Sequence, residues 1–198
     1  MTEAVNRSTL NVETALYGAI LALALGLRLL NLGSAPLSEY EASFALQAYH
    51  LAQGQPVTIG SQPFYVIATG LIFAVIKDSN ALARLLPALM GASLALLPIF
   101  FLSSTASWGW SRWAGLVLAV GLALDPALVA LSRLAGSPIL AIASLLLAIG
   151  FAWQGRAAWA GVLAGLALLS GPSLIQGLLG LGWAWGAAYW LSKSANGE

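Results

Sequence analysis

The chain has 198 residues, 60% of them hydrophobic and only 8% charged, with a mean hydropathy of +0.87 and a net charge of +1. A water-facing domain carries about 25% charged residues, so this composition excludes an ordinary soluble globule and points to an integral membrane protein. The absence of cysteine excludes disulfides and thiolate metal sites, the single His50 excludes a histidine-rich one, and no basic cluster is present to grip nucleic acid.

The first apolar run, residues 15–32, is long and lacks a small-x-small cleavage site, and it reads as a retained span rather than a signal peptide. Residues 36–55, PLSEYEASFALQAYHLAQGQ, carry helix signals. Ser38 and Glu41 have capping-box spacing, and Gly54 is suited to a left-handed helix end. The apolar run 64–76 falls short of the roughly twenty residues that cross a bilayer. Pro63 before it suits a first helical position. This run therefore lies at the interface or re-enters, and residues 33–84 form one external loop with two surface helices.

Further runs over 85–102, 113–131, 138–153, 157–170 and 172–191 complete six spans, or seven if 64–76 also crosses. Asp125-Pro126 interrupts the run 113–131. The expected fold is all-α: a polytopic bundle forming one transmembrane domain over residues 1–198, with no soluble C-terminal domain. Tryptophans anchor at headgroups and short-loop arginines and lysines mark the cytoplasm. Trp108, Trp110 and Trp113 stand by Arg112, Trp153 and Trp159 by Arg156, and Trp183, Trp185 and Trp190 near Lys193. If 64–76 does not cross, Arg7, Arg112, Arg156 and Lys193 fall inside and Lys77, Arg84 and Arg133 outside; that count is close to even, and the shortness of 64–76 decides for a multi-pass protein of the cell membrane with both termini cytoplasmic.

Several residues are candidates for chemistry. Glu41 is a helix cap, or a general base or metal ligand whose pKa is tuned by the interface. Glu39, two residues away, points about 200° from it on a helix, so the two cannot converge on one atom. Arg84 is an interfacial anchor or a fork for phosphate oxygens. Arg133 falls on the same expected external face. Asp125, an acid inside a span, is a functional residue or the partner of an arginine on a neighbouring helix. His50 lies on the first surface helix. The Gly161-x-x-x-Gly165 and Gly182-x-x-x-Gly186 spacings permit close helix packing.

The order of LRLLNLGSAPLSEYEASFALQAYHLAQG, PFYVIATGLIFAVIKDSNALARLLPALMGASLALLPIFF and LDPALVALSRLAGSPIL resembles the N-terminal half of GT-C fold glycosyltransferases. Protein O-mannosyltransferases and bacterial aminoarabinose transferases belong to that family. The resemblance covers about residues 15–150. In it Glu41 matches the Glu of the family's acidic pair, Tyr40 takes the place of its Asp, Arg84-Leu85 match the Arg-Leu motif, and Ser132-Arg133 match the Ser-Arg element. Ser137 stands where a second acid is expected.

The resemblance implies a polyprenyl-phosphate-linked sugar donor in the membrane and an acceptor on the external face. It implies Glu41 as the base and Arg84 and Arg133 on the lipid phosphate; Glu39, Tyr40, His50 and Asp125 are the candidates for supporting roles. Some family members use a divalent metal. With Tyr40 and Ser137 at the altered positions, no metal or other cofactor is expected here. The alternative is a catalytically degenerate membrane subunit that lost two acids and a C-terminal half, and whose glycine-rich last spans face a partner subunit.

Overall fold

The computed structural model describes residues 2–102 and 109–171, together with Ile175, Gly177, Leu179, Trp183 and Ala184. The expected span 172–191 thus falls almost wholly outside the described residues, as do Trp108, Trp185, Trp190, Gly182, Gly186 and Lys193. The described residues are helical, without strands: α1 (Thr2–Leu29), α2 (Glu39–Ala52), α3 (Pro63–Val75), α4 (Asn80–Ser93), a 3-10 turn (Leu94–Leu96), α5 (Leu97–Leu102), α6 (Gly109–Leu124), α7 (Pro126–Ser132), α8 (Ile139–Trp153) and α9 (Ala157–Leu168).

Two stretches are long and apolar enough to cross a membrane, Val12–Leu29 and Asn80–Phe101. The pair Trp113–Leu124 and Pro126–Ser132, bent by 52°, makes a third if it is one span. The other apolar helices, α3, α8 and α9, are shorter. The 15 residues of α8 and 12 of α9 rise about 23 and 18 Å. The exterior is apolar: Val117 is 71% exposed and Trp113 69%.

Local chemistry sets the boundaries. The capping box of α2 is complete, with Ser38 and Glu41 bonding reciprocally, and Gly54 beyond its end has φ 69°. Pro63 is the first residue of α3 and Ser79 caps α4 through the Leu82 N–H. Arg84, expected before the second span, lies inside α4 instead, because the helix begins at Asn80. The first span ends at Leu29 rather than 32, and Asn31 turns the chain with φ 55°, a conformation asparagine tolerates.

Helix α4 is central and touches α1, α3, α7 and α8. It approaches α7 at Gly91, where a Cβ would stand 2.4 Å from Ser132 Cβ. The α1–α4–α6 interface is built from small side chains, Ala24, Ala92, Ala95, Ala119 and Ala123, around Tyr17 and Ile20. Small residues let backbones come close where no hydrophobic force between helices is at work.

Prolines inside the bundle free carbonyls four residues upstream, and side chains from neighbouring helices take them. Pro87 strips Ala83 of its acceptor role in the helix, and Tyr65 Oη of α3 donates to Ala83 O at 2.7 Å. Asp125-Pro126 breaks the span, and Arg28 of α1 donates to Leu122 O at 3.3 Å and Ala123 O at 3.1 Å. Arg28 is fully buried. Asp125 caps α7 through the Leu128 N–H at 2.8 Å and attracts Arg28 electrostatically.

Replacing Arg28 by Leu leaves two buried carbonyls unpaired, at about 1–3 kcal/mol each. Thermal unfolding in mild detergent is expected to fall accordingly.

Candidate functional site

Two of the sequence candidates, Glu41 and Arg84, meet at one point. Ser38 starts α2 and fixes Glu41 in its first turn, where the side chain reaches back toward the cap. Arg84 enters from the second turn of α4. The third side comes from the turn after α7, where Gly136 adopts φ 65° and a Cβ would stand 2.6 Å from the Phe44 ring. Only glycine satisfies both conditions, and the turn it makes presents the Ala135 N–H.

Arg84 Nε donates to Glu41 Oε1 at 2.7 Å and Nη2 to Oε2 at 2.9 Å, a forked pair. The remaining Arg84 N–H groups go to Leu32 O (3.1 Å), Ala35 O (2.9 Å) and Pro36 O (3.0 Å). A guanidinium has five N–H groups, and all are engaged. Glu41 also accepts from the Ala135 N–H at 2.9 Å and from the Ser38 N–H and hydroxyl at 3.0 Å each. Glu41 is 2% and Arg84 5% exposed. Burial by itself pushes the Glu41 carboxyl up. The bonds from Arg84, Ser38 and Ala135 outweigh it and hold the group at about 2.

This arrangement suits holding segments together. A carboxylate held at about 2 is a weak proton acceptor near neutrality, and Arg84 in this geometry has no N–H left for a phosphate oxygen. Around the pair lies an uncharged group. Tyr40, 57% exposed, packs edge-on against Phe44 at 5.1 Å. Its hydroxyl sits 3.4 Å from Gly136 O, which also accepts from Gln62 Nε2. Gln62 Oε1 and Ser137 Oγ are buried without a partner, and an ordered water would satisfy such atoms.

The other candidates lie elsewhere. Arg133 ends α7 and donates to Leu27 O at 2.7 Å and Asn31 O at 3.4 Å, closing the C-terminus of α1. Asp125 caps α7. Glu39 is exposed at the start of α2, and His50 is in its last turn beside Tyr49. Among the described residues no group of three or more His, Cys, Asp or Glu is gathered for a metal ion. Sequence reasoning passed over Arg28 and Gln62. Arg28 had a signal, an arginine inside an apolar run. Gln62 had none, because its role depends on the distant turn at Gly136.

Arg84→Met strands a buried carboxylate and is expected to lose about 3–5 kcal/mol. Glu41→Leu combined with Arg84→Met should lose less than Arg84→Met alone, as unfolding in detergent would reveal. Glu41 is depressed on folding, so the unfolded chain binds more protons between the ordinary value of 4.5 and about 2. Its contribution is complete above pH 4.5 and lost as pH falls toward 2. An acid titration of stability should be flatter in that window for Glu41→Gln than for wild type.

Comparison of the chain with protein-family models, with curated proteins and with solved structures finds no match.

Proposed function

We propose that this chain is a membrane-integral subunit built on a GT-C-like core module, with Glu41 and Arg84 serving as a structural clamp rather than as base and phosphate ligand. One observation carries this reading: both residues are buried and every Arg84 N–H is already donated, two of them to Glu41. Tyr40 stands where the family resemblance puts an aspartate and Ser137 where it puts a second acid, so no exposed carboxylate takes over at those two positions. The proposed topology has six crossings: α1, α4 with α5, α6 with α7, α8, α9 and residues 172–191. Helices α2 and α3 lie at the external surface. The tight turn between α8 and α9, with Trp153 and Trp159 exposed on either side of Gly155, supports a hairpin that returns at a headgroup layer.

The transferase reading rests on the order of the motifs and makes a different forecast. Under it, Glu41→Gln folds normally and loses sugar transfer from a polyprenyl-phosphate donor. Under the subunit reading, Glu41→Gln loses thermal stability by several degrees. The wild-type chain, gently solubilised from its own membrane, comes out with a stoichiometric membrane-protein partner and no polyprenyl phosphate. Native mass spectrometry of wild type beside Glu41→Gln tests both. A bound polyprenyl phosphate with an undisturbed melting point would sink the subunit reading.

A further inference from the structure

Helices α2 and α3 lie across one end of the bundle, and the ends of α1, α4, α7 and α9 gather there. Arg84, near the start of α4, holds the Leu32 carbonyl that follows α1. The Ala135 N–H, in the turn after α7, reaches Glu41 of α2. The Phe64 N–H of α3 donates to Leu169 O, at the close of α9, at 3.0 Å. Residues 76–79 join the other end of α3 to α4. Both Val12–Leu29 and Asn80–Phe101 are long and apolar enough to cross a membrane, so this end of the bundle is the level at which they leave it. Helix α3 is held at that level from both of its ends.

With 13 residues, α3 is about 20 Å long and has two unlike sides. One side packs on α2 and α4 and carries its polar side chains, Tyr65 and Thr69, both fully buried. Gly70 belongs to this side, because a Cβ there would stand 3.1 Å from Ala48 O of α2. The opposite side presents Ile67, Leu71 and Val75 at spacings of four, which share a helix face. All three are exposed, Leu71 by 65% and Val75 by 86%. The helix has no charged residue, and Lys77 and Asp78 follow directly after it. Helix α2 differs, turning Glu39, Tyr40 and Ser43 outward together with Leu46.

Two observations choose what covers the bare face of α3. Seams between membrane helices use small residues, and α3 has spent its glycine on α2, leaving branched aliphatic side chains outside. An interfacial helix sinks its apolar face about 5–10 Å into the boundary of headgroups and acyl chains and keeps a polar face above it. Here α2 supplies the polar side.

We propose that α3 lies flat in the lipid boundary of the bilayer, with Ile67, Leu71 and Val75 among the acyl chains and α2 above it on the water side. This deepens the topology proposed above and holds whether the chain is a subunit or a transferase. The placement sets the height of α2, and with it the Glu41–Arg84 pair, against the bilayer surface.

The chain has no cysteine, so a nitroxide can be attached at one position without altering any other. Full-length protein labelled at Leu71→Cys, Val75→Cys, Ser43→Cys or Leu23→Cys is reconstituted in vesicles of phosphatidylcholine and phosphatidylglycerol. All four positions are exposed, so the label displaces no core side chain. Collisions with oxygen, which partitions into lipid, are compared with those of a water-soluble nickel chelate. Leu23, 45% exposed within the first span, is the lipid reference. Labels at 71 and 75 are expected to follow it, with oxygen exceeding nickel, and the label at 43 to show the reverse. Nickel access at 71 and 75 would mean that water covers the face, and low access of both reagents would mean that protein does. Either result overturns the proposal, as does a label at 43 as shielded from nickel as that at 71. Nickel access at Leu23→Cys would overturn the membrane topology itself and this placement with it, which tells the two failures apart.

Discussion

The forked pair between Glu41 and Arg84 is the constraint on which this end of the bundle depends. It joins four segments: the turn at 32–36 and the start of α2 that follows it, and, distant in sequence from these, the second turn of α4 and the turn at Ala135. Taking two charges out of water is costly, and the attraction between them repays the cost only when the remaining lone pairs and protons are also satisfied. Here they are, by backbone groups that have few other partners. The three carbonyls that Arg84 holds belong to a stretch without regular structure, so the guanidinium does there what a helix ladder does elsewhere. Moving any one segment would leave a buried donor or acceptor unpaired, and the four segments are consequently held in one arrangement.

The same logic governs the interior. Pro87 and Pro126 each remove an N–H from a helix in apolar surroundings, where an unpaired carbonyl finds no water. Tyr65 and Arg28 supply the missing donors from neighbouring helices. Arg133 works in the reverse direction, from the end of α7 onto the last carbonyls of α1. Helices α1 and α6–α7 are thus joined by an exchange of arginines, each closing the other's broken or finished end. The small residues at Ala24, Ala92, Ala119 and Ala123 bring the backbones near enough for such reach.

These pairings bear on function through what they leave unoccupied. Glu41 and Arg84 are consumed as ties, whereas their neighbourhood is neutral, with Tyr40 exposed and Gln62 and Ser137 buried. Tyr40 and Gln62 bring a hydroxyl and an amide to the Gly136 carbonyl there, and no charge.

The sequence by itself determined the helical class, the greasy exterior and several boundaries. The capping box at Ser38, the left-handed Gly54, Pro63 at a first helical position and the break at Asp125-Pro126 were all legible because each is a local preference of the backbone. It also singled out Glu41 and Arg84 as residues too expensive to leave idle in an apolar chain. What it left open was their relation. Glu41 read equally as cap and as base, and Arg84 as anchor and as phosphate fork. Arg28, Gln62 and the Ala135 N–H went unremarked as partners. Only the tertiary structure shows that the two are paired and which backbone groups complete the pairing. A hydrogen bond between residues forty or ninety positions apart depends on where whole helices pack, and that is set by close approaches such as Gly91 against Ser132, which no local pattern encodes.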